Sequence, residues 1–339
     1  MVLVAAGTIL VSLMSLLNLN SNPIQHASKY ILPNSSTRHQ LLSLPVLNTD
    51  VVSEMRRKFL VPMDVQIFRR GIPPKRMEAS KKQKKVFRLK QTHSPHKVDT
   101  CSIVGNSGVL LDSACGDIIE EADVVIRVNL ALFGGEFSRD VGSRVDFMTL
   151  NGKQFEALDA CINQQNASVA IDELQGKCRN WVHNIALIGD SILWYHKGMK
   201  TFRQMKSILI YLDKYGIRPR YAYTPYDVVN NIRRLFNVSD PSAGLQVYAS
   251  ATQFCSRITL FGFYPFYKDP TNRTLKYHYF DKARINFGSN LHHMPNEYKV
   301  LQQLEDRGAI RVVNDCAKKW DNRTLTTNNR STEEDAHSH

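Results

Sequence analysis

Between about residues 100 and 315 the chain alternates two hydrophobic patterns. Short continuous apolar runs occur at 101–104, 124–128, 145–150, 185–188, 221–223, 258–263 and 310–313. Runs of this length, bounded by Gly, Asn and Asp, read as strands covered on both faces. Between them, apolar positions recur every three or four residues over 107–121, 201–215, 226–235, 242–254 and 295–307, the spacing of helices with one buried face. The alternation predicts an α/β fold: a Rossmann-like, mostly parallel sheet with helices on both faces, forming a single domain over 99–319.

In such a sheet, ligands collect beyond the carboxyl ends of the strands. Asn106, Asn129, Asn151, Asp190 and the segment 262–266 each follow an apolar run directly and are expected around one crevice. At the first of these ends the chain reads Gly105-Asn106-Ser107-Gly108. Its glycines permit a tight turn and close backbone approach, and a helix beginning at 107 would offer unpaired N–H groups to an anion such as a nucleotide phosphate. The same G-x-x-G turn is similar to the loop of an RNA-binding KH module.

The flanks have a different composition. Residues 2–17 are apolar, a run slightly short for a membrane span and slightly long for a cleaved signal. No small-x-small cleavage site follows, so residues 1–20 are expected to be an uncleaved anchor. Between Gln66 and Lys97 there are eleven Lys or Arg against one acid, so this segment holds ten of the thirteen net positive charges. Pro73, Pro74 and Pro95 interrupt it, and 21–98 reads as a basic stem rather than a nucleic-acid-binding face. The tail, 320–339, is polar throughout. Six N-x-S/T sequons (Asn34, Asn166, Asn237, Asn272, Asn322, Asn329) and an even six cysteines suit an oxidising lumen. No two cysteines have C-x-x-C spacing and no D-x-D triplet occurs, so no metal site is expected.

Two long stretches carry a more specific signal: "CSIVGNSGVLLDSACGDIIEEADVVIRVN" from Cys101 and "DPSAGLQVYASATQFCSRITLFGFYPF" from Asp240. They resemble the large and small sialylmotifs of the animal sialyltransferases. "HYFD" from His278 resembles the family's third motif, and "HHMPNE" from His292 its His-x4-Glu motif, in the required order. "SRDVG", "SILW" and "YHYFD" are most similar to the α2,8-sialyltransferases and, among them, to the polysialyltransferase subgroup. Val128, Ala243 and Tyr264 stand where that family usually has Cys, Thr and Trp.

The resemblance implies a GT-A-variant fold and inverting transfer of sialic acid from CMP-sialic acid, without metal or cofactor. The acceptor would be the 8-hydroxyl of a terminal sialic acid on glycoprotein glycans, as oligo- or polysialylation, with gangliosides the alternative; a glycan binder without turnover is a third possibility. It further implies a Golgi membrane protein of type II topology with a lumenal catalytic domain and no nucleic-acid partner; the charge of the stem adds the expectation that it holds acidic, sialylated acceptors. An alcohol is a poor nucleophile until a base takes its proton, and a free imidazole titrates near pH 6.5, so His292 is the expected base. His278 is expected to stabilise the departing phosphate, helped by Tyr279. By the same resemblance Asn106 and Asn129 contact the donor, Ser242, Ala243, Gly244 and Tyr264 line the nucleotide pocket, and Ser107, Asn151 and Glu297 support it, Glu297 by capping its helix or orienting His292. His293 is expected to be a spare. Disulfides Cys101–Cys255 and Cys115–Cys316 are implied as well, which leaves Cys161 and Cys178 as a third, local pair.

Overall fold

Every second residue along the central strands faces one of two apolar layers, so the strands are hydrophobic on both sides. In the computed structural model, which describes residues 49–58, 66–68, 96–164, 176–196, 202–224, 228–282 and 292–317, this builds a single eight-stranded sheet. The strands are β1 Gln66–Phe68, β2 Val98–Val104, β3 Val124–Arg127, β4 Phe147–Leu150, β5 Ile192–Tyr195, β6 Arg220–Tyr223, β7 Cys255–Phe261 and β8 Arg311–Val313. Their order is β1-β6-β5-β4-β3-β2-β7-β8, and all neighbours are parallel except the edge pair β1 and β6. The helices are α1 Thr49–Lys58, α2 Gly116–Glu120, α3 Ser138–Val141, α4 Gly152–Gln164, α5 Gly176–Leu187, α6 Phe202–Lys214, α7 Val228–Phe236, α8 Ala243–Ala251 and α9 Met294–Asp306.

On one face Ile103, Ile126, Phe147 and Trp194 pack with Ile232 of α7, Leu245 of α8 and Leu301 of α9. On the other, Met148, Leu193 and Tyr221 pack with Phe155 of α4, Ile185 of α5 and Ile208 of α6, while Val104, Val125 and Phe261 pack with Ile119 and Tyr279. The expected mostly parallel sheet with helices on both faces is therefore present. Chain order runs outward from β2 through β6 and then returns to β7 and β8 on the other side of β2. The gap between the carboxyl ends of β2 and β7 is thus the switch point, where a crevice opens in folds of this kind.

Several local expectations are corrected. The run 185–188, read as a strand, is the last turn of α5 and the residue beyond it. Val182, Ile185 and Ile188 are all buried, which is helical spacing, and the strand follows at Ile192–Tyr195. Asp190 accordingly precedes β5 rather than following a strand, at the opposite end of the sheet from the crevice. The single helix expected over 107–121 is broken into one 3-10 turn, Gly108–Leu110, and the short α2. Asp112 and Ala114 between them adopt positive φ, and their N–H groups donate to the two carboxylate oxygens of Asp140 (2.9 and 3.0 Å). Residues 49–58 and 66–68, read as stem, join the domain: Val51 enters the core, Arg307 donates to Glu54 (3.0 Å), and β1 extends the sheet.

The structure joins Cys101 to Cys255, Cys115 to Cys316 and Cys161 to Cys178. Asn237 and Asn272 both sit exposed in turns with positive φ, as sites open to modification would. The other four sequons, the anchor at 1–20, the basic run at 69–95 and the tail at 320–339 lie outside the described residues. Among the described residues no helix is long and apolar enough to cross a membrane.

Candidate active site

Four chain segments meet at the switch point, and backbone contacts hold them. At the end of β2 the Gly105 N–H donates to the Phe261 carbonyl (2.7 Å), the Ser107 N–H to Gly262 (3.3 Å) and the Gly108 N–H to Lys276 (3.2 Å). Ser107 Oγ donates to the Tyr264 carbonyl (2.9 Å), and the Tyr279 N–H donates to the Asn106 carbonyl (3.0 Å). The glycines are explained by this closeness: a Cβ on Gly108 would lie 2.4 Å from the Lys276 carbonyl oxygen, and one on Gly105 would lie 2.7 Å from that of Gly262. Alanine at either position would require backbone to move.

Three of the turn's four N–H groups, those of Gly105, Ser107 and Gly108, are therefore taken within the protein, which narrows the phosphate reading of Gly105–Gly108. Those three donors go to the end of β7, to the residue after it and to the segment before His278. What remains open is a pair of side-chain acceptors. Asn106 Oδ1 and Asn129 Oδ1 are buried and have no hydrogen-bond partner among the described residues. They follow β2 and β3, adjacent parallel strands, so two amides with unmet bonding capacity stand side by side at the crevice. A buried polar atom without a partner is costly unless a ligand or water completes it.

Asn129 is positioned tightly. It takes a left-handed φ of 63°, donates its N–H to Thr149 Oγ1 (3.1 Å), and its carbonyl accepts from Gln154 Nε2 (2.6 Å). Gln154 also donates its N–H to Asn151 Oδ1 (2.8 Å), so Asn151 supports Asn129 through Gln154. Two residues before Asn129, the Arg127 side chain is fully buried, bonded through Nε to the Arg144 carbonyl (2.9 Å) and lying 5.0 Å from the Phe133 ring centre. Burial pulls its guanidinium down to about 10, against the opposing pull of Tyr279, Glu120 and Asp146. Neither Gln154 nor Arg127 was expected from the sequence, since nothing local to them marks either one.

The third segment places His278 between aromatic rings, 4.5 Å from Tyr277 and 5.3 Å from Phe280 by ring centres. His278 Nδ1 lies 2.8 Å from an Asp281 carboxylate oxygen. Tyr279 is a packing residue: it is buried, burial pushes its phenol well above the usual range, and its O–H donates to the Leu132 carbonyl. Tyr277 O–H reaches Met294 Sδ (3.8 Å), which ties this segment to the fourth.

In the fourth segment, His292 Nδ1 is 2.9 Å from the Asp240 carbonyl oxygen and 3.5 Å from the Asp240 carboxylate. Neighbouring His293, expected to be a spare, caps α9: its ring accepts the Asn296 N–H (3.3 Å), and Pro295 follows in the first turn, where a missing N–H does no harm. Glu297 reaches away from its own helix to accept the Ser242 N–H (2.8 Å). Ser242 Oγ in turn caps α8 by accepting the Leu245 N–H. Gly244 faces the Phe263 ring, with room for no Cβ unless that ring moves. Ala243 opens α8, and the Tyr264 ring packs against Phe266 and Tyr298 (4.8 and 6.0 Å), with its O–H donating to the Lys268 carbonyl (3.1 Å).

The family's sequence model, described as glycosyltransferase family 29 (sialyltransferase), matches residues 48–309, well over half of the chain. The chain belongs to that family. The chain is 29% identical over 227 residues to a protein named alpha-N-acetylneuraminide alpha-2,8-sialyltransferase from Xenopus tropicalis, a match covering 65% of this chain and 61% of that one. It is 25% identical over 241 residues to alpha-2,8-sialyltransferase 8F from Mus musculus, covering 67% and 55%. The chain thus spans roughly three-fifths of the length of the curated relatives it matches. A crystal structure of a mammalian sialyltransferase aligns with a TM-score of 0.42 at 17% identity, covering 83% of this chain and 84% of that one.

The buried Glu297 gives the domain a measurable pH signature. Burial raises its carboxyl above the ordinary 4.5 and Asp240 adds to the rise, while the Ser242 hydrogen bonds and His292 oppose it. The folded chain therefore holds this proton at pH values where the unfolded chain has lost it. Stability falls as pH rises through the window between 4.5 and the raised value. Glu297→Gln keeps an oxygen for the Ser242 N–H and removes the titration. Melting temperatures measured from about pH 4 to 7 should show the variant gaining on the parent as pH increases; a constant difference would place the effect elsewhere.

Proposed function

We propose that this chain transfers sialic acid from CMP-sialic acid to the 8-hydroxyl of a terminal sialic acid on a glycan. The reaction inverts the anomeric carbon, uses His292 as general base, and needs no metal ion. The observation that carries the reading is the seat of His292. With Nδ1–H donating to the Asp240 carbonyl, the neutral ring holds its lone pair on Nε2, in the tautomer a base requires. The names of the relatives supply the linkage.

The acceptor oxygen forms its bond to the anomeric carbon as the bond from that carbon to the phosphate oxygen breaks. The acceptor proton passes to His292, and the electron pair of the broken bond leaves with CMP. Negative charge grows on the departing phosphate, and His278, held through Nδ1 by Asp281, is the group that meets it. The unpartnered Oδ1 atoms of Asn106 and Asn129 accept hydrogen bonds from the donor's amino or hydroxyl groups. The backbone N–H groups of Ala243 and Gly244, at the start of α8, suit its anionic part. Six paired cysteines fit a lumenal catalytic domain, as expected of a Golgi enzyme with an anchor at 1–20.

The test gives the secreted domain from residue 46 onward CMP-sialic acid and, in separate reactions, a sialylated glycoprotein, a ganglioside and a desialylated glycoprotein. Mass spectrometry counts the residues added to each. Transfer to sialylated acceptors alone, unchanged by EDTA, is expected, and the count separates single addition from polymerisation. Transfer to the desialylated acceptor would refute the linkage, and activity lost to EDTA and restored by manganese would refute metal independence.

A further inference from the structure

Asp240 is the last residue before the Pro241-Ser242 entry to α8, and it makes three contacts that bear on one imidazole. Its carbonyl lies 2.9 Å from His292 Nδ1, its carboxylate 3.5 Å from the same nitrogen, and its other carboxylate oxygen 3.7 Å from an Arg233 guanidinium nitrogen. Arg233, on α7, also donates Nε to the Ser239 carbonyl and so fixes the backbone from which Asp240 is presented. Both groups of Asp240 address the same ring nitrogen, so the residue does two things at once: the carbonyl selects the tautomer, and the carboxylate faces the charge that develops.

On the reading of His292 as the base, we infer that Asp240 is its positioning residue: the carbonyl fixes Nδ1 as the protonated nitrogen, the carboxylate stabilises the imidazolium formed when the acceptor proton arrives, and Arg233 restrains that carboxylate. No proton passes to Asp240. The ring gains the proton, and the carboxylate lowers the energy of the resulting ion pair. Among the described residues, the carboxyl groups set against His292 include Asp240, from the loop before α8, and Glu297, from α9, and Arg233 of α7 acts on it through Asp240. Because Asp240 and His292 are each about one-third exposed, the carboxylate acts through a screened field, and its effect is moderate rather than absolute.

Charge variants test this through opposite signs. Asp240→Asn keeps the carbonyl but removes the negative charge, so the protonated ring is less favoured. The acid limb of the pH–rate profile should move down by roughly 0.5 to 1 pH unit, and kcat should fall about fivefold. KM for CMP-sialic acid should hold. Arg233→Gln removes the opposing charge, so its acid limb should move up. Asp240→Glu should restore part of the lost kcat. A residue that merely held the loop would lower activity in both variants without moving the two limbs in opposite directions. If neither limb moves, or both move the same way, while His292→Ala is inactive, the role of Asp240 is refuted and His292 stands. If His292→Ala retains the parent's rate, the base assignment itself fails, and the inference falls with it.

Discussion

Replacing His292 with alanine should lower the transfer rate by about 10² to 10⁴ and leave the fold in place. The size follows from the chemistry of the acceptor. A sugar hydroxyl stays protonated through the physiological range, and attack on the anomeric carbon without a base must expel a proton into water or onto the departing phosphate. A base held in one tautomer removes that requirement at the moment the bond forms. The fold should survive because the His292 side chain is 35% exposed, so its truncation opens no core cavity. Its loss should leave His293 capping α9, since that cap uses a separate ring. Steady-state kinetics with CMP-sialic acid and a sialylated acceptor, alongside thermal melting, would check both halves. A loss smaller than tenfold with an unchanged melting temperature would remove His292 from the proton transfer.

The sequence makes the chemistry of this site more legible than its geometry. His278, His292, Asn106 and Asn129 stand in ordered motifs, and the structure brings the four segments that carry them to one switch point. Glu297 was read as a cap for its own helix or a partner of His292, yet its hydrogen bond goes to Ser242, 55 residues away. No local pattern encodes such a contact. Asp240 stood out in the sequence only as the first residue of the second long motif, and its meeting with His292 joins residues 52 apart, the one between α7 and α8 and the other just before α9. The helix read into 107–121 failed for a related reason. Its apolar spacing is real, but the carboxylate of Asp140 captures two N–H groups that a helix would have used, and a residue distant in sequence decides the backbone. The same limit explains the misplaced strand at 185–188, because a four-residue apolar run fits the end of a buried helix as well as it fits a strand. β1 was hidden because three residues beside a run of lysines and arginines carry too little pattern to be seen.

Removing the Cys101–Cys255 bridge should destabilise the secreted domain more than any single side-chain change proposed above. The bridge closes 154 residues of chain and the Cys115–Cys316 bridge 201, whereas Cys161–Cys178 closes only 17. In the chain-entropy model each long closure contributes about 5 kcal/mol and the short one about 3. A domain's whole stability is about 5 to 15 kcal/mol, so loss of either long bridge removes a third of it or more. With about 2 to 4 °C per kcal/mol for a chain of this size, the Cys101→Ala, Cys255→Ala double variant should melt roughly 10 to 20 °C lower. The short-bridge variant Cys161→Ala, Cys178→Ala should lose clearly less, and equal losses would show that loop length is not what these bridges contribute. Function should follow stability here, because Cys101 and Cys255 lie on β2 and β7, the strands that flank the switch point. Gly105 and Gly262, which hold Asn106 and Ser107 in place, follow directly on those two strands. Cys255 opens β7 and so lies at the end of that strand away from the switch point, and from there the ladder runs on to Val104 and Phe261 without the bridge. Activity measured against temperature should therefore fall together with the ellipticity, at the lowered melting point, and a loss of activity well ahead of unfolding would show that the bridge also holds the crevice.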